Sequence, residues 1–254
     1  MYGDLDRPPL RQTALARALA ADGWHVEVVE EVSSTNAVVA DRARAGEPAG
    51  LVVVAEQQTA GRGRLDRSWV SPPRAGLTFS ALLRPTLAPA RWGWLPLLAG
   101  VAVARTLRDR ADLDAVLKWP NDVLVDGRKV CGVLTEVADA TAVVVGIGLN
   151  VTTRADELPH DQATSVGAAG GATTDRDTLL RAVLRQLTAV LAEDDPAASY
   201  RGLCSTIGQP VRLDLPAGRS VTGTADTVDD DGRLVVDGVA YAAGDVVHLR
   251  PTGG

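Results

Sequence analysis

Arg62, Arg64 and Arg67 fall within six residues of one another in the string Gly61-Arg62-Gly63-Arg64-Leu65-Asp66-Arg67-Ser68-Trp69. A guanidinium is always charged, and its planar fork matches the oxygens of a phosphate or carboxylate. Gly61 and Gly63 let the backbone bend and approach a ligand closely. The string follows Leu51-Val52-Val53-Val54-Ala55, an apolar run that reads as a buried strand. A loop of this kind at a strand end can hold an anionic group. A solvated basic turn has the same composition, so what accompanies the loop decides its chemistry.

Three further features accompany it. In Lys118-Trp119-Pro120-Asn121-Asp122 the proline stops a short strand and leaves Asn121 and Asp122 at its end. An Asn-Asp pair there suits nucleotide or Mg²⁺ contacts, because magnesium takes one or two carboxylates together with phosphates; an ordinary turn is the alternative. Lys129 stands just after the turn Asp126-Gly127. Its ammonium is a point charge that could meet a reacting phosphate or carboxylate, or simply be solvated. Gly146-Ile147-Gly148-Leu149-Asn150 closes an apolar strand, and its glycines by themselves indicate only close backbone packing.

These segments need a scaffold, and 254 residues allow one or two domains with a sizeable core. Hydrophobic residues make up 46% and charged residues 23%, as in soluble globular proteins. The net charge of −6 makes the arginine loop a local patch on an acidic protein, which disfavours general nucleic-acid binding. Cys131 and Cys204 form no disulfide framework or metal-ligand spacing, and a reducing cytoplasm fits them. His25, His160 and His248 are scattered, so no histidine-centred metal site is expected. The N-terminus lacks the pattern of a signal peptide, and no run of about 18 apolar residues calls for a membrane span.

The hydrophobic pattern predicts helices over residues 9–22, from 37 to about 46, over 89–110 and over about 177–193, the second preceded by the capping quartet Ser33-Ser34-Thr35-Asn36. Strands are predicted at 26–29, 51–56, 77–83, 116–119, 123–125, 130–137 and 142–151, with Asp126-Gly127 as a hairpin turn. Beyond Ile207 the helical pattern ends. Val211-Arg212-Leu213-Asp214-Leu215 alternates, and Gly218, Gly223, Gly232, Gly238 and Gly244 punctuate short strands. The expected organisation is α+β: residues 1–206 as a mixed sheet with flanking helices, and residues 207–254 as a small SH3-like β-barrel with a frayed end.

Taken together, five strings resemble the bacterial biotin protein ligase family, also called biotin–[acetyl-CoA-carboxylase] ligases. They are Ser34-Thr35-Asn36, residues 57–64 through Gln58 and the arginine loop, Lys118-Trp119-Pro120-Asn121-Asp122, Arg128-Lys129-Val130-Cys131-Gly132 and Gly146-Ile147-Gly148-Leu149-Asn150, in matching order and spacing. The resemblance runs from about residue 32 to 151 for the catalytic core and through Arg250 for the β module. It implies the catalytic fold that biotin ligases share with class II synthetases. It implies biotin contacts for Ser34, Thr35, Asn36, Gln58, Arg62, Gly63, Arg64 and Lys129. ATP contacts are implied for Arg64, Arg67, Lys118, Asn121 and Asn150, and for Trp69 if it stacks on adenine rather than merely packing. Asp122 is implied as a Mg²⁺ ligand, and Lys129, Arg64 and Arg67 as the catalytic cations.

The implied reaction joins biotin and ATP into biotinyl-AMP and then passes biotin to a lysine of a biotin carboxyl carrier protein. No cysteine nucleophile is needed, so Cys131 reads as a packed strand residue. Only about 32 residues precede the first string, too few for the DNA-binding domain that many members carry, so the monofunctional type is expected. A lipoate or octanoyl transferase of the same fold, a biotin-responsive repressor and a nucleic-acid-binding protein are the alternatives.

Overall fold

The computed structural model describes residues 7–249 except Asp66, and the side chain of Ala217 is also left aside. The N-terminal six residues and the expected frayed end after Leu249 lie outside the described residues. In the first unit, seven strands form one sheet: β1 (His25–Val32), β2 (Leu51–Gln58), β3 (Gly76–Leu83), β4 (Ala115–Lys118), β5 (Asp122–Val125), β6 (Arg128–Asp139) and β7 (Ala142–Asn150). Their order is β1-β2-β3-β7-β6-β5-β4. Only β1 and β2 run parallel; every other neighbouring pair is antiparallel. The chain is thus α+β, with a mixed sheet. Asp126 and Gly127 both take positive φ in the β5–β6 turn, as a tight hairpin requires.

Five helices flank the sheet: α1 (Gln12–Leu19), α2 (Thr35–Arg44), α3 (Trp94–Ala111), α4 (Arg176–Leu191) and α5 (Pro196–Leu203). Strand β2 is buried on both faces, and its residues divide cleanly between two cores. Val52 and Val54 join the large core with α1, α3 and α4, while Leu51 and Val53 meet α2 together with Leu82 and Val144. Helix α2 is short and covers only part of its face. At and beyond its first turn the sheet carries Ser80, Gly146 and Gly148, small residues that admit the side chains of Asn36 and Trp69.

The second unit is an antiparallel sheet of β8 (Pro210–Asp214), β9 (Ser220–Val228), β10 (Leu234–Val236), β11 (Val239–Tyr241) and β12 (Asp245–His248), in the order β11-β10-β9-β8-β12. The first half of β9 pairs with β8 and the second half with β10. Val211, Leu213, Ala225, Leu234 and Val246 are continuous with the large core of the first unit. Two tryptophans clamp the units: Trp94 Nε1 donates to Asp230 O at 2.8 Å and Trp119 Nε1 to Gly232 O at 3.1 Å.

Several elements differ from the sequence pattern. The helix expected over 9–22 is α1 followed by a 3₁₀ turn (Ala20–Asp22), closed by Gly23 at φ +81°. The helix expected over 89–110 is likewise a 3₁₀ turn (Pro89–Arg91) followed by α3. Strand β1 is twice as long as its apolar run, because β2 supplies hydrogen bonds along its length. Helix α5 was not expected. Helix α4 ends at Leu191, and Asp195-Pro196 begins a new helix: Asp195 accepts from Ala198 N at 3.0 Å and proline occupies the first turn, where its missing N–H costs nothing.

A buried ion pair fixes the base of the arginine loop. Arg176 at the start of α4 donates to Glu56 Oε2 at 2.6 Å and to Pro8 O at 2.6 Å, and Leu10 N donates to Glu56 Oε1 at 2.6 Å. Their side chains are 5% and 3% exposed. Removing one member of such a pair strands a buried charge and costs about 3–5 kcal/mol. Arg176→Ala should lower the unfolding free energy by about that amount in urea titrations; a loss below about 0.5 kcal/mol, the range of surface substitutions, would contradict this.

Candidate active site

The uncovered part of the sheet floors a cavity of about 1220 Å³. All five sequence strings line it, as does β12 of the second unit. At its deep end lies the start of α2. Ser34 caps that helix, accepting from Ala37 N at 3.5 Å. Thr35 donates to Gln58 Oε1 through its backbone N (2.8 Å) and hydroxyl (3.0 Å). Ser80 Oγ lies 2.7 Å from Thr35 Oγ1 and 2.6 Å from Asn36 Oδ1. Asn36 Nδ2 donates to Glu136 Oε2 at 2.5 Å. A Cβ on Gly146 would stand 2.1 Å from Asn36 Oδ1, so glycine is what admits this asparagine. The result is a dense set of donors and acceptors in a largely buried pocket, suited to a compact polar ring.

The middle of the cavity is walled by Trp69. Its indole lies flat on the sheet, where a Cβ on Gly148 would be 2.4 Å from Cε2 and one on Gly132 3.3 Å from Cζ3. The structure therefore packs Trp69 on glycines, with Lys129 Nζ 5.8 Å from the ring centre. Trp69 Nε1 is buried and has no hydrogen-bond partner. Such a donor invites an acceptor from a bound molecule.

At the mouth, cations gather. The loop after β2 folds back through a bridge between Arg62 and Ser68, with Trp69 N donating to Gly61 O at 2.9 Å. Arg62 meets Glu136 at 3.1 Å. Arg64 donates to Asn121 Oδ1 at 3.3 Å, and Arg67 pairs with Asp245 of β12. The Trp119–Pro120 bond is cis, and Asn121 is held by Nδ2 donating to Val133 O at 2.9 Å. Lys129 Nζ is 2.6 Å from Asp122 Oδ1. That contact has the distance of an ion pair but not the alignment of a hydrogen bond, since the same oxygen lacks a hydrogen-bond partner. Residues after β7 anchor Lys129 by its backbone: Lys129 N donates to Gln162 O at 2.7 Å, and Thr164 N to Lys129 O at 2.8 Å. Burial draws the Arg64 and Lys118 pKa values below their ordinary range, against the pull of Asp245 and Asp122.

Residues 28–150 match the profile of the biotin/lipoate A/B protein ligase family, and residues 206–249 match the biotin protein ligase C terminal domain. The biotin–[acetyl-CoA-carboxylase] ligase of Mycobacterium tuberculosis is 44% identical over 96% of this chain and 97% of its own length. The chain belongs to the biotin/lipoate A/B protein ligase family. The bifunctional ligase/repressor BirA of Escherichia coli is 33% identical over 85% of this chain and 70% of its own. Among solved structures, the Aquifex aeolicus biotin protein ligase in complex with biotin and ATP superposes with a TM-score of 0.76 at 30% identity, covering 89% of this chain and 99% of that one.

Every residue to which the resemblance gives a biotin, ATP or Mg²⁺ contact lines this cavity, including Asn150, which donates to Thr164 O at 3.0 Å from the end of β7. The sequence reading left out Ser80, Asp245, Gln162 and the two histidines His160 and His248, all but Ser80 lining the cavity. The histidines looked scattered, but the fold brings both to this surface. His248 reaches Thr206 Oγ1 at 3.1 Å, and burial lowers its pKa. Among the described residues, no group of three His, Cys, Asp or Glu side chains could hold a metal. Asp122, whose Oδ1 is ion-paired with Lys129 but has no hydrogen-bond partner, fits an ion that arrives with nucleotide phosphates better than one held in a protein cage. Cys131 is fully buried and its thiol is pushed far above the ordinary range by desolvation, which makes it unreactive.

The glycine floor makes a direct prediction. Gly148→Ala should displace the Trp69 indole, reduce stability by about 1–3 kcal/mol and change the near-ultraviolet dichroism. Gly202→Ala, with nothing within 4 Å of its new Cβ in α5, should leave the spectrum unchanged and stability equal or up to about 1 kcal/mol higher.

Proposed function

We propose that this protein activates biotin with ATP and transfers it to a lysine of a biotin carboxyl carrier protein, as a cytoplasmic enzyme. The observation that carries this reading is the cavity's division of labour: a polar pocket for a ureido ring at one end and converging cations at the other. Thr35, Asn36 and Gln58, with Ser34 beside them, supply hydrogen-bond partners for the ring. The carboxylate end of biotin then extends toward Lys129, Arg62 and Arg64. Asn121, Lys118, Arg67 and Asn150 flank the remaining volume, which takes ATP, with Trp69 closing its side.

Attack of the carboxylate on the α-phosphorus brings two anions together. Lys129, Arg64 and Arg67 offset that repulsion and stabilise the charge that builds on the transferring phosphorus. Mg²⁺ carried by the phosphates and met by Asp122 would neutralise the departing pyrophosphate. The carboxylate oxygen–phosphorus bond forms, the bond to pyrophosphate breaks, and biotinyl-AMP remains. A carrier lysine amine then attacks the acyl carbon, an amide forms and AMP leaves. Water would destroy the mixed anhydride, so the arginine loop and Trp69 over the cavity have a protective role. Among the described residues no helix is long and apolar enough to cross a membrane.

Incubation with ATP, Mg²⁺ and biotin should yield biotinyl-AMP detectable by mass, and lipoate in its place should yield no adenylate; the reverse outcome would reassign the substrate. Lys129→Ala should lower adenylation about 10²–10³-fold while the protein stays folded. Near-normal adenylation in that variant would remove Lys129 from the mechanism.

A further inference from the structure

The arginine loop is tied to the second unit by one carboxylate. Asp245 begins β12, pairs with Arg67, and lies 4.0 Å from Arg64 Nη1. The preceding residue adds a second tie: Gly244 O accepts from Arg64 Nη1 and Nη2 at 3.5 Å each. The two sides of this contact differ in rigidity. On one side β12 is pinned by β8 along its whole length and by the His248–Thr206 contact. Gly244 is itself confined, with φ at +154° and a position where a Cβ would meet Leu213 Cδ1 at 2.7 Å. On the other side the loop exposes Leu65, and among the described residues its backbone hydrogen bonds close within the loop itself, through the Arg62–Ser68 bridge, Gly63 N to Arg67 O at 2.6 Å, Arg67 N to Arg64 O at 3.2 Å and Trp69 N to Gly61 O at 2.9 Å, so that they travel with it. Segments with few buried apolar contacts open at low cost, so the loop is the moving part and Asp245 the fixed one.

Arg64 is only 23% exposed, and a guanidinium withdrawn from water without a counter-ion is costly. Asp245 supplies that counter-ion, yet it occupies the charge that Arg64 and Arg67 would offer to phosphate. We propose that Asp245 is a positioning residue that latches the arginine loop over the cavity before nucleotide binds and releases both arginines to the incoming polyphosphate. The proposal rests on the nucleotide reading above for its second half only; the latch itself is a property of the free protein. An anion that displaces Asp245 must break the Arg67 pair, so the latch and nucleotide oppose one another, and weakening the latch strengthens nucleotide binding.

The test uses full-length protein and trypsin, with cleavage after Arg62, Arg64 and Arg67 followed by mass. Without ligand, Asp245→Asn should be cut in the loop about 2- to 5-fold faster than the parent chain, the range an ion pair of this exposure supports. Raising the salt concentration should speed loop cleavage of the parent and not of Asp245→Asn, and Asp245→Glu should restore slow cleavage. In adenylation assays Asp245→Asn should lower KM for ATP by a similar factor with kcat changed less. Equal ligand-free cleavage in the parent and Asp245→Asn overturns the latch. A KM for ATP that is unchanged or raised overturns the release step. Cleavage that rises throughout the second unit as well as in the loop shows that Asp245 merely supports the fold, and also overturns the proposal. Because the cleavage arm needs neither biotin nor turnover, it reads out independently of whether the protein adenylates biotin.

Discussion

The rest of the structure depends on holding Arg64, Arg67, Lys118 and Lys129 around one cavity. Like charges repel strongly where water is scarce, and each of these side chains must be held by something else. Lys129 leans on Asp122, and its backbone is paired with the segment after β7. Arg64 and Arg67 lean on β12 of the second unit. Lys118 sits next to a cis proline turn whose indole is clamped by the second unit. The carboxylates that meet these cations are fewer than the cations, so the cavity keeps a positive balance that an anionic substrate can complete. The chain as a whole is acidic, with a net charge of −6, so that balance is a local one.

The cavity exists because one face of the sheet is only partly covered. Helix α2 packs on Val53, Leu82 and Val144 and then stops. Where it starts, Ser34 caps it, and the first turn turns its polar groups to Gln58 and Ser80 rather than to solvent. Past that point β6 and β7 carry glycines, and their missing side chains are the volume that Asn36 and Trp69 enter. The helices on the opposite face are packed without interruption. A packed floor and a packed back wall follow, and the loop that carries the arginines lies over them. For acyl-adenylate chemistry that is a useful division, because the reacting groups must be held still while an unstable product is shielded.

The second unit is therefore part of the catalytic architecture rather than an attachment. It shares the large core, receives hydrogen bonds from Trp94 and Trp119, and lines the cavity with Asp245 and His248. Its own apolar interior is small, and a sheet of that size gains stability from packing on a neighbour. A change in that packing would be felt at Asn121 and Arg64, which lie next to the shared wall.

The sequence by itself determined most of the strands, the α2 cap and the β5–β6 turn, because local rules govern them: apolar runs, a capping serine, and an Asp-Gly pair that accepts positive φ. It also singled out the residues that meet in the cavity, since rare strings such as Lys118-Trp119-Pro120-Asn121-Asp122 keep their composition whatever surrounds them. It did not reveal α5, because a proline that ends one helix reads the same as a proline that begins the next. It hid the length of β1, whose charged residues are held in register by a neighbour. Only the tertiary structure decided that His160 and His248 reach one surface, that Glu56 and Arg176 are buried together, and that Asp245 meets Arg67 from 178 residues away. Those relations depend on which surfaces pack together, and pairwise contacts between distant segments leave no periodic mark in a single chain.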